Sequence, residues 1–98
     1  YHGGTLGSLA VTGDDALAET FTPMMRVMPT VPAPAAWRDR DNLTMEQRGI
    51  RYADMLEEKI QAEGPDSVLA FIMEPIGGAA TAALVAPAQL RDWLAAGG

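Results

Sequence analysis

A run of six apolar residues, Val-Leu-Ala-Phe-Ile-Met at positions 68–73, constrains the fold of this 98-residue chain more than any other feature. The turn-forming sequence Gly-Pro-Asp-Ser at 64–67 precedes it, and Glu-Pro-Ile-Gly-Gly at 74–78 follows it. Six residues are too few for a stand-alone core helix, and a continuous apolar run of this length suits a strand that is buried on both faces. Because such strands are typical of parallel sheets covered by helices, the run predicts an α/β fold.

Glu74 stands directly after this predicted strand. In open α/β sheets the ligand crevice lies beyond the carboxyl ends of the strands. The next residue, Pro75, cannot continue the ladder of hydrogen bonds, and the glycines at 77 and 78 allow backbone to approach a ligand closely. We therefore treat Glu74 as a candidate site residue.

Composition excludes several classes of function. Thirteen acidic residues against seven basic ones give a formal net charge of −6, and the arginines are scattered, which argues against a nucleic-acid or anionic-membrane surface. With no cysteine and one histidine, His2, the chain can form neither a disulfide framework nor a thiolate or histidine-rich metal site. The first residue is Tyr1 and not methionine, so we expect a piece of a longer protein, and a missing signal peptide has little meaning.

The N-terminal segment predicts a loop followed by a short helix. Thr5 or Ser8 can cap the helix, and Gly13 can end it in the left-handed conformation. This pattern places Tyr1 and His2 on the loop that enters the helix. Residues 14–20 are expected to add one or two helical turns.

The clearest helix begins at Thr44, which forms a capping-box pattern with Gln47. Its predicted buried stripe consists of Ile50, Ala53, Leu56 and Ile60. We expect Gly64 to end this helix, and we expect a last helix over residues 88–96, with Pro87 in its first turn and Leu90, Trp93 and Leu94 on one side. Helix, tight turn and buried strand then form the second half of a βαβ unit.

The segment between these helices is rich in both prolines and apolar side chains. The prolines of residues 21–37 forbid a continuous helix, and the apolar residues of 21–31 predict that it packs against either its own domain or a second subunit. Residues 37–42 read as a solvated, charged turn.

Taken alone, the residues do not define a catalytic site. The glycine-rich sequence of residues 3–7 matches neither the dinucleotide fingerprint nor a phosphate-binding loop. No set of nucleophile, base and orienting group can be assembled around His2 or Glu74. The residues therefore indicate an α/β domain with an aromatic loop and a carboxylate at a strand end.

Two motifs in this order resemble the class III (omega-type) aminotransferases, which are pyridoxal-phosphate enzymes of fold type I. The first is Tyr1-His2-Gly3-x-Thr5-x-Gly7-x-Leu9-x-x-Thr12-Gly13, and the second is the apolar strand with Glu74-Pro75-Ile76-Gly77-Gly78. The likeness covers residues 1 to about 86. It implies a partial three-layer α/β sandwich with a mostly parallel sheet, in which residues 1–98 are a fragment of a single large domain that binds pyridoxal phosphate.

The resemblance also implies roles for individual residues. The cofactor-binding residues would be Tyr1, face-on against the pyridine ring, with His2 and Gly3 shaping the loop beneath it. Glu74 would lie on the substrate side and pair with a mobile arginine when the substrate lacks its own carboxylate. The resemblance implies that the family's Schiff-base lysine and the aspartate that pairs with the pyridine nitrogen lie outside these 98 residues. The only lysine, Lys59, is predicted on the polar side of a helix, so we do not assign it as the Schiff-base residue. We therefore expect no catalytic residue and no metal site within the chain, which alone should be inactive.

The function implied by the resemblance is transfer of an amino group between an amine or amino acid and a 2-oxo acid, in a cytoplasmic homodimer that binds neither nucleic acid nor membrane. Two alternatives remain open. One is another reaction of the same family, namely decarboxylation, aminomutase or lyase chemistry. The other is a non-catalytic α/β module that associates through residues 21–31.

Overall fold

The structure is a computed structural model that describes residues 2–13, 16, 19–33, 42–74 and 88–97. The chain divides into two compact units, Tyr1–Thr30 and Val31–Gly98, and each is described by itself. The helices whose bounds fall in the described residues are α1 (Leu6–Thr12), α2 (Met45–Glu63) and α3 (Ala88–Ala95). Short 3-10 turns lie at Thr22–Met24 and Pro65–Ser67.

Helix α1 has the two caps that the sequence predicts. Thr5, in extended conformation, is the N-cap, and its Oγ1 accepts a hydrogen bond of 3.3 Å from the Ser8 N–H. Gly13 ends the helix at φ 68°, in the left-handed region, and a Cβ there would lie 3.2 Å from Cγ2 of Thr30. Leu9 and Ala10 form the buried side of the helix. The predicted helix is confirmed, with Thr5 and not Ser8 as its cap.

Helix α2 begins with the complete capping box. The Gln47 N–H donates to Thr44 Oγ1 at 3.2 Å, and the Thr44 N–H donates to Gln47 Oε1 at 2.9 Å. Gly64 follows the last turn with φ 89°, and the Ser67 hydroxyl donates to the Glu63 and Gly64 carbonyls at 2.7 and 2.8 Å. Both predicted ends of this helix are therefore confirmed.

The buried face of α2 differs in part from the predicted stripe. Ala53 and Leu56 are buried as expected, but Ile50 is 49% exposed, and Tyr52 is buried instead. The core around Tyr52 and Ala53 is completed by Met55, Met73, Trp93 and Leu94. Apolar side chains lie on adjoining sides of α2, so the sequence pattern allows more than one buried face. The residues that pack against the helix decide which face is buried.

Helix α3 ends within one residue of its predicted limit, and Gly97 follows it with φ 87°. Trp93 and Leu94 pack against the core on α2, as the apolar pattern predicts. Pro87 and the side chain of Leu90 lie outside the described residues.

The strand predicted over residues 68–73 is not found. The backbone is extended at Val68, but residues 68–74 form no ladder with any described residue. Leu69 is fully exposed, and Phe71 and Ile72 are 39% and 54% exposed, so the expectation of burial on both faces is wrong for this chain. Local sequence favours extended backbone, whereas a sheet also needs neighbouring strands to pair with. The parallel sheet stays a prediction.

The packing predicted for residues 21–31 is observed only in part. Met25 and Val31 are half-buried, whereas Phe21, Met24, Val27 and Met28 are between 38% and 70% exposed. The expectation that the segment packs against its own domain is therefore wrong for most of its apolar side chains, and packing against a second subunit stays a prediction. Of the predicted helical turns at 14–20, Ala16 is helical, and positions 14, 15, 17 and 18 lie outside the described residues, as do 34–41, which hold most of the charged turn.

The capping box predicts how a peptide of residues 42–67 behaves. Replacing Thr44 by alanine removes the acceptor for the Gln47 N–H, so we expect a loss of about 0.5–1 kcal/mol of helix stability and lower helicity by circular dichroism. Thr44→Ser keeps the acceptor and should preserve helicity. Equal helicity of the alanine and wild-type peptides would contradict the role of the cap.

Candidate functional site

The predicted site residues fall in both units. His2 and Gly3 precede α1 in the first unit, and Glu74 follows the apolar segment in the second. Tyr1 and residues 75–78 lie outside the described residues. The structure therefore brings His2 and Gly3 together on one loop, and the roles predicted for Tyr1 and Glu74 stay predictions.

A single hydroxyl connects the His2 loop to the far end of α1. The His2 N–H donates to Thr12 Oγ1 at 3.1 Å, and the Thr12 hydroxyl donates to the Ser8 carbonyl at 2.8 Å. Both His2 and Thr12 are half-buried. The start of the loop is thus bound to the last residue of the helix, ten positions further along the chain.

Ser8 is held from its other side by the helix cap. Its N–H donates to Thr5 Oγ1, and the two side-chain oxygens of Thr5 and Ser8 lie 2.8 Å apart in a hydrogen bond. The carbonyl of Ser8 is the acceptor for Thr12. The amide, carbonyl and hydroxyl of Ser8 are therefore all engaged, and its position on α1 is well defined.

Gly3 lies against this serine in a conformation that suits glycine. Its φ is 119°, and a Cβ at this position would lie 3.1 Å from Oγ and 3.2 Å from Cβ of Ser8. An alanine would thus meet an unfavourable backbone conformation and a close contact at once. The loop can follow the surface of α1 this closely because residue 3 has no side chain.

Glu74 is half-buried at the end of the apolar segment of residues 68–73. The preceding residue, Met73, packs on the core formed by Tyr52 and Ala53. This contact fixes the end of the segment, while Leu69 and Ile72 are exposed. The carboxylate therefore follows an anchored residue.

The lysine of α2 has the environment of a surface residue. Lys59 Nζ lies 3.1 Å from Glu63 Oε1, and both side chains are more than one third exposed. Such an i, i+4 pair contributes about 0.3 kcal/mol at most. The exposed position predicted for Lys59 is confirmed, and the prediction that it is not the Schiff-base residue stays a prediction.

Three other features of the described residues concern metal binding, surface depressions and membrane crossing. These residues contain no group of three or more acidic or histidine side chains placed to hold a metal ion. A shallow surface depression on α2 is lined by Asp54, Glu57, Glu58 and Gln61, and it is open to solvent. Within the same described part, none of the helices combines the length and apolar character needed to cross a bilayer.

Sequence reasoning assigned no role to Thr12 and considered Ser8 only as a cap. The spacing of four between them is a usable signal, because a threonine hydroxyl in a helix often bonds the carbonyl four residues earlier. The hydrogen bond that the His2 N–H donates to Thr12 has no such signal in the sequence. It depends on how the loop folds back along the helix.

Comparison with known proteins gives a match that contains both sequence motifs. A model of the family described as "Aminotransferase class-III" matches residues 1–95. The chain is 38% identical over 76 residues to hypotaurine/taurine–pyruvate aminotransferase of Paracoccus denitrificans, covering 78% of this chain and 16% of that protein. It is 39% identical over 80 residues to gamma aminobutyrate transaminase 1, mitochondrial, of Solanum lycopersicum, covering 81% of this chain and 16% of that protein.

A third relative is taurine–pyruvate aminotransferase of Rhodobacter capsulatus, which is 37% identical over 76 residues, again 78% of this chain and 16% of that protein. No solved structure matches the chain at a significant level. The chain spans about one sixth of the length of these curated relatives. With a family match that extends over residues 1–95, the chain belongs to the class III aminotransferase family.

Proposed function

We propose that the protein carrying this chain transfers an amino group between an amine or amino acid and a 2-oxo acid, with pyridoxal phosphate as cofactor. The observation that carries the proposal is the family match over residues 1–95, which includes both motifs. The printed names of the relatives specify taurine, hypotaurine or gamma-aminobutyrate, and pyruvate for two of them. These donors share a terminal amino group and a distant acidic group, so we propose donors of this class.

The His2–Gly3 loop fits a role beside a flat cofactor. It is held against α1 by the Thr12 hydroxyl, and the absence of a side chain at Gly3 keeps it close to Ser8. Tyr1 would supply an aromatic face for the pyridine ring, and His2 and Gly3 would support it from below. When bound, pyridoxal phosphate supplies the electron sink for the chemistry, and the residues of this loop orient it.

Three further proposals concern the fold and the assembly. We propose that residues 68–74 are a strand of a mostly parallel sheet in a fold type I large domain, because an exposed apolar run next to an anchored Met73 needs cover. We propose a homodimer, since the exposed apolar residues between Phe21 and Met28 suit a subunit contact. We also propose a cytoplasmic location.

The same exposed residues favour a second candidate function. A non-catalytic α/β module could associate through Phe21, Met24, Val27 and Met28, whose side chains are exposed. The two candidates differ in one respect that can be read from the complete coding sequence. The aminotransferase requires a lysine and an aspartate on other segments of the protein, whereas the interaction module does not.

The proposed function predicts direct nitrogen transfer. The protein expressed from its complete coding sequence, incubated with 15N-labelled taurine or 4-aminobutyrate and pyruvate, should form 15N-alanine by mass spectrometry. The reaction should depend on added or bound pyridoxal phosphate. No labelled alanine with any amine donor, from folded protein saturated with cofactor, would leave the interaction module as the better account.

The geometry of Gly3 predicts that an alanine at this position weakens cofactor binding, whereas an alanine at Gly7 does not. Gly3→Ala forces an unfavourable backbone conformation, worth about 1–3 kcal/mol, and a contact with Ser8. We expect cofactor affinity to fall by about tenfold or more, on the order of 1.4 kcal/mol, in a titration of the apoprotein.

Gly7→Ala is the control for this substitution. Gly7 lies inside α1, and a Cβ there meets no described atom within 4 Å. Alanine is the better helix former by about 0.5–1 kcal/mol, so affinity should be unchanged. Equal affinities of the Gly3→Ala and Gly7→Ala proteins would argue against the loop as a cofactor contact.

The role proposed for Glu74 predicts a selective change in substrate recognition. Glu74→Gln removes the charge that would pair with an arginine while a substrate without a carboxylate is bound. Because charge-assisted hydrogen bonds contribute about 1.5–3 kcal/mol, KM for a donor without a carboxylate, such as taurine, should rise about tenfold or more. KM for pyruvate, which brings its own carboxylate, should change little. A uniform change for both substrates would contradict the selective role.

A further inference from the structure

The Thr12 hydroxyl has a defined hydrogen-bonding state. Its one proton is donated to the Ser8 carbonyl at 2.8 Å, which leaves its oxygen to accept the His2 N–H at 3.1 Å. A hydroxyl can do both at once because it carries one donor and two acceptor lone pairs. The Thr12 hydroxyl therefore makes both hydrogen bonds by itself, and no third group is needed to connect the Ser8 carbonyl with the His2 N–H.

The group that Thr12 binds is the backbone N–H of His2. The His2 N–H belongs to the peptide that joins His2 to Tyr1, and peptide groups are planar. A bond to this N–H therefore restrains the backbone of His2 at the start of the described loop. Helix α1 is in turn fixed by the Thr5 cap and by Gly13, so the hydroxyl is presented from a defined element.

We propose that Thr12 is a positioning residue for the cofactor loop. It acts not by contact with the cofactor but by fixing the backbone amide of His2, the residue that follows Tyr1 in the sequence. The inference rests on the proposed function, since it assumes that this loop contacts pyridoxal phosphate. It goes further by assigning a role to a residue that lies at the opposite end of α1.

Three substitutions in the protein from its complete coding sequence test this role. Thr12→Val keeps the shape and removes the hydroxyl, and Thr12→Ser keeps the hydroxyl. Thr12→Ala also removes the hydroxyl but improves helix propensity, so it guards against a loss of folding in the valine protein. Thr20→Val is the matched control, because Thr20 is exposed in a turn of the same unit.

The readouts separate positioning from simple stability. We expect Thr12→Val and Thr12→Ala to raise the Kd for pyridoxal phosphate about tenfold, and Thr12→Ser and Thr20→Val to keep it within about twofold. Hydrogen exchange at the start of the loop should become faster in the valine and alanine proteins without cofactor. A structural role alone would lower the Tm of the apoprotein and leave the Kd unchanged.

Tyr1→Ala distinguishes failure of the inference from failure of the proposed function. If Tyr1→Ala weakens cofactor binding while Thr12→Val and Thr12→Ala leave it unchanged, the loop binds cofactor and the role of Thr12 is overturned. If Tyr1→Ala, Thr12→Val and Thr12→Ala all leave the Kd unchanged, the loop is not a cofactor contact. The proposed role of the loop then fails together with the inference.

Discussion

The hydrogen bonds at the two ends of α1 determine the geometry of the loop that holds His2 and Gly3. Thr5 caps the helix at one end and orders Ser8, and Thr12 at the other end joins the Ser8 carbonyl to the His2 amide. Gly3 has to follow the helix surface between these bonds, and its positive φ and the nearby Ser8 side chain explain why glycine suits it. One short helix thus acts as the support on which the loop is built.

The second unit depends on packing around α2. Tyr52 and Ala53 are covered by residues of α3 and by Met73, so this core fixes both the last helix and the end of the apolar segment. The rest of that segment is different, because Leu69, Phe71 and Ile72 are exposed. An apolar run of this kind gains little free energy until other elements cover it, and this is the physical reason to expect a sheet around it.

Features of local origin could be predicted from the sequence. The caps at Thr5, Gly13 and Thr44 require only neighbouring residues with defined donors and acceptors, and each was confirmed. The motifs around His2 and Glu74 likewise indicated the family that the comparison found.

Features that depend on distant partners could not be predicted. The choice of Tyr52 over Ile50 as a buried residue depends on what packs against α2, and the bond from His2 to Thr12 depends on the path of the loop. The strand predicted over residues 68–73 needs partner strands, and local sequence carries no information about them. Sequence pattern therefore predicted the helices of the described residues, but it predicted neither the state of residues 68–73 nor which side chains packing covers.

We propose that the protein carrying this chain is a pyridoxal-phosphate aminotransferase, and a half-reaction is the experiment we would do first. The protein from its complete coding sequence, loaded with pyridoxal phosphate, is mixed with taurine or 4-aminobutyrate in the absence of any 2-oxo acid. We expect the visible absorbance of the bound cofactor to disappear with one equivalent of donor consumed per site and to return when pyruvate is added. A folded protein that binds no pyridoxal phosphate, or whose spectrum does not respond to any amine donor, would contradict it.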